Sequence, residues 1–258
     1  MNKVIEETRD YLRELGGKAI EIQNDTSLLV DGVTVYWKTN GSSKSIIKFN
    51  GHLPASDHLI LHELTHLSMF INNTIANKGK IVLTDDNAVA LLFSKFRDAW
   101  TRIGVRKIIA SEDVASIISR CVLVYSQQIV NLALDLFVEK RIFDNHPEFR
   151  EIQKESLLRM EDENIVSDTS PATKNYPPGL IRISRTANTV RALQVRDFYG
   201  VDTVKKHLAG VKDIDLALSM YEQFKSTWAS YRPSDEYDLV MSFAKCLNWD
   251  DMISIKDE

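Results

Sequence analysis

The stretch LILHELTHLSMF, residues 59–70, sets His62 and His66 four positions apart, with Glu63 directly after the first. On a helix these two histidines project from one face, one turn apart. Both imidazoles could then reach one ion at about 2.0–2.1 Å each. Glu63 would lie roughly 100° round the helix, beside an open coordination position. There a carboxylate can take a proton from a metal-activated water and pass it to a leaving amine. A bound metal lowers the pKa of water from about 15.7 towards about 7, so a carboxylate is basic enough for this work. Ile60, Leu64, Leu67 and Ile71 fall opposite the histidines, so one side of the helix can pack while the other lines a site. His58 extends the histidine stripe at i−4 from His62. It reads either as a further ligand or substrate contact, or more plainly as a polar residue near the helix start. His52, His146 and His207 show no such spacing.

Two histidines and a water leave a catalytic zinc one protein ligand short. The segment QQIVNLALDLFVEKRIF, residues 127–143, is apolar nearly all round, yet Asn131, Asp135 and Glu139 form one stripe at i, i+4, i+8. Desolvating a lone carboxylate costs several kcal/mol, so buried acids need a counter-charge or a metal. A carboxylate often ligates the ion while a second one, a turn away, orients a ligand histidine through its other ring nitrogen. We therefore expect Asp135 to coordinate and Glu139 to orient, with Asn131 at the rim; the reverse assignment stays open. The plainer alternative is a set of polar residues satisfied by Lys140, Arg141 or water.

These side chains need elements to position them. Val4, Tyr11, Leu12 and Leu15 predict a first helix that stops at Gly16-Gly17. The period then changes to two: KAIEI, SLLV, VTVYW and SIIKF read as strands, and Asp31-Gly32 as a two-residue hairpin turn. From Pro54 onward the pattern is helical, with helices expected near 55–73, 86–103, 112–143, 148–163, 180–198, 202–209, 212–230 and 234–247. SDTSPATKNYPPG, residues 167–179, is the one loop rich in proline, serine and threonine. The fold class is thus α+β and mainly α. A helix, a small and mostly antiparallel sheet, the His62 helix and the acidic helix make a core over residues 1–145, followed by a helical region over 146–258.

The 258 residues carry a net charge of only −4 and no block of lysine or arginine, so a nucleic-acid partner has no electrostatic footprint. Cys121 and Cys246 sit in apolar helical patterns and read as free thiols of a reducing compartment. The charged amphipathic N-terminus lacks the apolar centre of a signal peptide, and the apolar runs read as too short to span a bilayer. The expectation is a cytoplasmic protein with no membrane partner.

HELTH followed by an acidic helix resembles the zincin metallopeptidases, in their gluzincin-like or aspartate-ligand branches. NLALDLFVE is similar to the N-x-A-x-D-x-x-[IV]-[NE] segment that follows H-E-x-x-H in some bacterial metallopeptidases. The resemblance covers residues 1–145. Phe70 and Asn72 stand where other zincins place a closely spaced third histidine, and no G-T-x-D-x-x-Y-G segment is present. What the resemblance implies is a Zn2+-dependent peptidase acting on a peptide or protein substrate. His62 and His66 would hold the metal together with Asp135 or Glu139, and Glu63 would be the general base. The strand before the active helix, KSIIKFNG at 44–51, would form the sheet edge and pair with an extended substrate, or else be simply a core strand. An oxyanion donor is also implied, for which Tyr176 and Arg182 or Arg185 are candidates. The contrasting expectation is a zincin-fold protein without catalysis, acting by protein binding.

Overall fold

The structure is a computed structural model that describes residues 2–28, 31–37, 41, 43–53, 55–76, 78–102, 114–207 and 210–257. Pro54 and part of the SLLV strand lie outside them. The chain is α+β and mainly helical, and it forms two compact units: 1–79 with 137–159, and 80–136 with 160–258. The boundary expected at 145/146 falls inside the first unit.

In the first unit, helix α1 (Lys3–Gly16) is capped by Asn2, whose side chain accepts from the amide of Val4 at 3.0 Å, and stops at Gly17, which takes a left-handed φ of 60°. Strands β1 (Ala19–Asn24), β2 (Gly32–Val35) and β3 (Lys44–Phe49) form a sheet in the order β1-β3-β2. β3 pairs parallel with β1 and antiparallel with β2. Two expectations are corrected here, and one left open is decided. The sheet is mixed, half of its pairings being parallel. The hairpin joins β2 to β3, with Gly32 opening β2 rather than turning the chain. Of the two readings of KSIIKFNG the core strand holds: β3 is central, and its Ser45 and Ile47 are buried.

Helix α2 (Ser56–Ile75) carries the H-E-x-x-H residues and packs on α1, β2 and β3. Ile60, Leu64, Leu67 and Ile71 are all buried, as their phase requires. Phe70 meets Tyr36 and Trp37 with ring centroids 4.3 and 5.3 Å away. Gly16 lets the end of α1 close on this helix, since a Cβ there would stand 3.1 Å from Cδ1 of Ile71.

In the second unit, β4 (Lys80–Thr84) pairs antiparallel with β5 (Ile253–Asp257), a pairing absent from the sequence reading. The helix expected over 86–103 is two, α3 (Ala88–Lys95) and α4 (Arg97–Arg102), broken at Phe96. Then come α5 (Val114–Asn145) and α6 (Arg150–Thr169), whose residues 137–145 and 150–159 belong to the first unit, and α7 (Pro178–Tyr199), α8 (Val211–Ala229) and α9 (Asp235–Cys246). Trp249 is fully buried, its indole N–H donating to Oγ of Ser126 at 2.9 Å.

Among the described residues one helix segment, Ser116–Asn145, has the length and apolar composition to cross a bilayer, longer than the apolar runs suggested. Of its most apolar window 56% is buried inside the protein, so much of that surface is already covered. Cys121 is buried and Cys246 half-buried, both as free thiols.

His207, unremarkable by spacing, is fully buried in a short 3-10 turn, Val204–His207. Its Nδ1 lies 2.9 Å from Oδ2 of Asp168 and its Nε2 3.0 Å from Oε2 of Glu161, both carboxylates on α6. Thr203 donates to the same Glu161 oxygen, and Asn188 of α7 donates to Asp168. Burial alone would lower the imidazole's pKa; hydrogen bonds to Asp168 and Glu161, and then their charges, outweigh it and push the pKa up to about 9.

Candidate metal centre

One turn of α2 separates each of His58, His62 and His66 from the next, and the helix delivers all three to one side. Glu139 meets them from α5. Its Oε1 lies 2.7 Å from Nδ1 of His62, and its Oε2 lies 3.0 Å from Nε2 of His58. Gln153, fully buried on α6, donates to that same Oε2 at 2.6 Å and to the Glu139 carbonyl at 2.9 Å. Burial alone would raise the pKa of Glu139. The charge and hydrogen bond of His58, joined by those of His62, prevail and hold it well below the usual carboxylate range. The group is therefore an anion with three donors arranged on its two oxygens.

This arrangement fixes a tautomer. With Nδ1–H of His62 given to Glu139, the lone pair of His62 sits on Nε2, and Nε2 of His66 lies 3.0 Å from it. Two facing ring nitrogens need either a proton or a cation between them. Nitrogens at that separation can both stand about 2.0–2.1 Å from one ion. His58, His62 and Glu139 also offer ligand atoms within 4.8 Å of one another, a group that could hold a metal by itself. Protons already satisfy the distances from Glu139 to His58 and His62.

Glu63 points elsewhere on the same turn. Its Oε2 accepts a hydrogen bond from the hydroxyl of Thr34 on β2 at 2.7 Å. Its side chain passes so close to β2 that a Cβ at Gly32 would lie 3.1 Å from both Cγ and Oε1.

The structure thus brings together His58, His62, His66 and Glu139, with Glu63 on the same turn of α2 and its carboxylate held against β2. Asp135 belongs to the second unit, one helical turn before Glu139 on α5, and there its Oδ2 accepts from Nη2 of Arg191 at 2.9 Å. Tyr176 and Arg185 also belong to the second unit. Tyr176 is 41% exposed and lines a cavity of about 1020 Å3, while Nη2 of Arg185 donates to the carbonyl of Asp168 at 2.8 Å. Arg182 is ion-paired with Asp213. In the sequence His58 is signalled only by its i−4 spacing from His62, and Gln153 and Thr34 are marked by no motif.

No family model, curated protein or solved structure matches this chain.

Proposed function

We propose that this protein is a zinc-dependent peptidase with a zincin-like core, hydrolysing peptide bonds through a metal-activated water and Glu63. The observation that carries the reading is the opposed pair of Nε2 atoms of His62 and His66, 3.0 Å apart, with the other nitrogen of His62 pinned by a buried carboxylate. Oriented imidazoles with a carboxylate behind them are what a protein metal site requires. We assign His62 and His66 as ligands. Glu139 already serves His62, His58 and Gln153, so we assign it to orient His62 rather than to bind the ion.

A divalent zinc ion would supply Lewis-acid polarisation of the scissile carbonyl and of the attacking water. The residues do the rest. Glu63 takes the water's proton as the new C–O bond forms, then delivers it to the leaving nitrogen as the C–N bond breaks. Glu139 keeps the lone pair of His62 on Nε2 throughout. β2, an edge strand of its sheet, lies beside Glu63, so an extended peptide adding to that edge would pass the carboxylate. The two free thiols favour a reducing, cytoplasmic setting.

The test is Glu63→Gln, with metal analysis and a quenched-fluorescence peptide library as readouts. We expect one zinc per chain in both proteins, and cleavage by the wild type alone. Equal cleavage by the variant would remove Glu63 as the base. Zinc retained without cleavage by either protein would favour a binding role for this fold.

A further inference from the structure

We infer that β2 is built to set the acid–base carboxylate: Thr34 is a positioning residue that ties down Oε2 of Glu63, and Gly32 keeps Oε1 open as the oxygen that carries the proton. The inference rests on the peptidase reading above and extends it to residues outside the H-E-x-x-H motif.

The geometry divides the labour between the two oxygens. The hydroxyl of Thr34 lies 2.7 Å from Oε2 and only 3.3 Å from the backbone carbonyl of Glu63, so it sits against the first turn of the side chain and restricts its rotation. A hydroxyl–carboxylate hydrogen bond is charge-assisted and among the stronger neutral-donor kinds. An oxygen that already accepts a proton donor is the poorer base of the two. Oε1 has no hydrogen bond among the described residues, and the space next to it exists because residue 32 has no side chain. A Cβ there would stand 3.1 Å from Oε1 and 3.4 Å from Cδ, tight enough to push the carboxylate aside. Gly32 and Thr34 are two apart on one strand and so share a face of the sheet. That face meets α2 at Glu63. In the reaction, the water's proton moves to Oε1 as its oxygen bonds the carbonyl carbon. Oε1–H then gives the proton to the amide nitrogen as the C–N bond breaks, and Oε2 stays bonded to Thr34 through both transfers.

Three variants test this: Thr34→Val, Thr34→Ser and Gly32→Ala. The first readout needs neither metal nor substrate. In a double-mutant cycle with Glu63→Ala on the apo protein, Thr34→Val should lower the melting temperature by about 2–4 °C when Glu63 is present and by about 1 °C or less when it is absent. The second readout is calorimetric binding of acetohydroxamic acid to the zinc-loaded protein, whose N–O–H would donate to the open carboxylate oxygen. We expect affinity to fall about tenfold in Thr34→Val and Gly32→Ala and to stay within twofold of wild type in Thr34→Ser. Peptide cleavage should follow the same order through kcat, with KM unchanged. Additive melting shifts would show that the contact does not exist and overturn the inference. A coupled shift with unaltered hydroxamate binding and kcat would make Thr34 merely structural, and would overturn it too. Wild-type protein that binds no zinc would instead sink the peptidase reading, and this inference with it, a failure visible in the metal analysis alone.

Discussion

Replacing Glu139 by glutamine tests how the centre is held. The carboxylate is 3% exposed and takes three donors: His62 at 2.7 Å, His58 at 3.0 Å and Gln153 at 2.6 Å. An amide has one acceptor oxygen and a donor in place of the other. If its oxygen faces His58 and Gln153, its NH2 group meets Nδ1 of His62. That imidazole must then move its proton to Nε2, which removes the lone pair aimed at His66. If its oxygen faces His62, the NH2 group opposes His58 and Gln153 instead. The first outcome costs metal affinity, and the second costs buried hydrogen bonds. Losing an outer partner of a ligand histidine typically weakens a metal about 10–100-fold. Hydrogen bonds to a buried charge are worth about 1.5–3 kcal/mol each, so losing the net equivalent of one lowers stability by about 2–3 kcal/mol. The assays are competitive zinc titration against a chromogenic chelator and urea unfolding of the apo protein. A Glu139→Gln protein matching the wild type in both would refute the argument, because a carboxylate serving three donors cannot be exchanged for an amide without loss.

Three further outcomes are expected. Gln153→Met, a nearly volume-conserving change at a fully buried position, should cost about 1–2 kcal/mol in urea unfolding and weaken zinc several-fold through Glu139. The pKa of His207, about 9 against the ordinary 6.5, stabilises the second unit by about 3 kcal/mol; that contribution is whole below pH 6.5, fades as pH rises, and is gone above about 9. Unfolding curves across that range should show the decline in the wild type, while Glu161→Gln, which removes one carboxylate partner, should show a smaller decline that is complete at lower pH. Ser126→Ala should leave the buried indole N–H of Trp249 without its acceptor, costing about 1–2 kcal/mol and shifting the tryptophan emission.

What the sequence disclosed follows from where the information resides. α2 was readable because its apolar phase, its histidine stripe and its length all lie within twenty consecutive residues. The stripe on α5 was readable for the same reason, since carboxylates on an otherwise apolar helix stand out. The strand order was not. Whether β3 is central or at an edge depends on where β1 returns, and β1 is joined to β3 by no local signal. β4 and β5 are five residues each and about 170 positions apart, so neither has the neighbours that would identify it as a strand. His207 and Gln153 acquire meaning only through carboxylates brought in by folding. Glu139 illustrates the limit within the site itself: its position on the helix predicted a partner for a histidine, but only the fold shows that it has three.

The pairing of residues 80–84 with 253–257 places a constraint on how the molecule is made. The ribosome delivers β4 long before its partner, and the first unit likewise waits for 137–159 after 1–79 has emerged. Until residues 253–257 emerge, β4 therefore offers two bare edges, with Ile81 and Leu83 on the strand. A nascent chain stalled short of residue 253 would carry a sticky ribbon, and would be a client for chaperones or degradation.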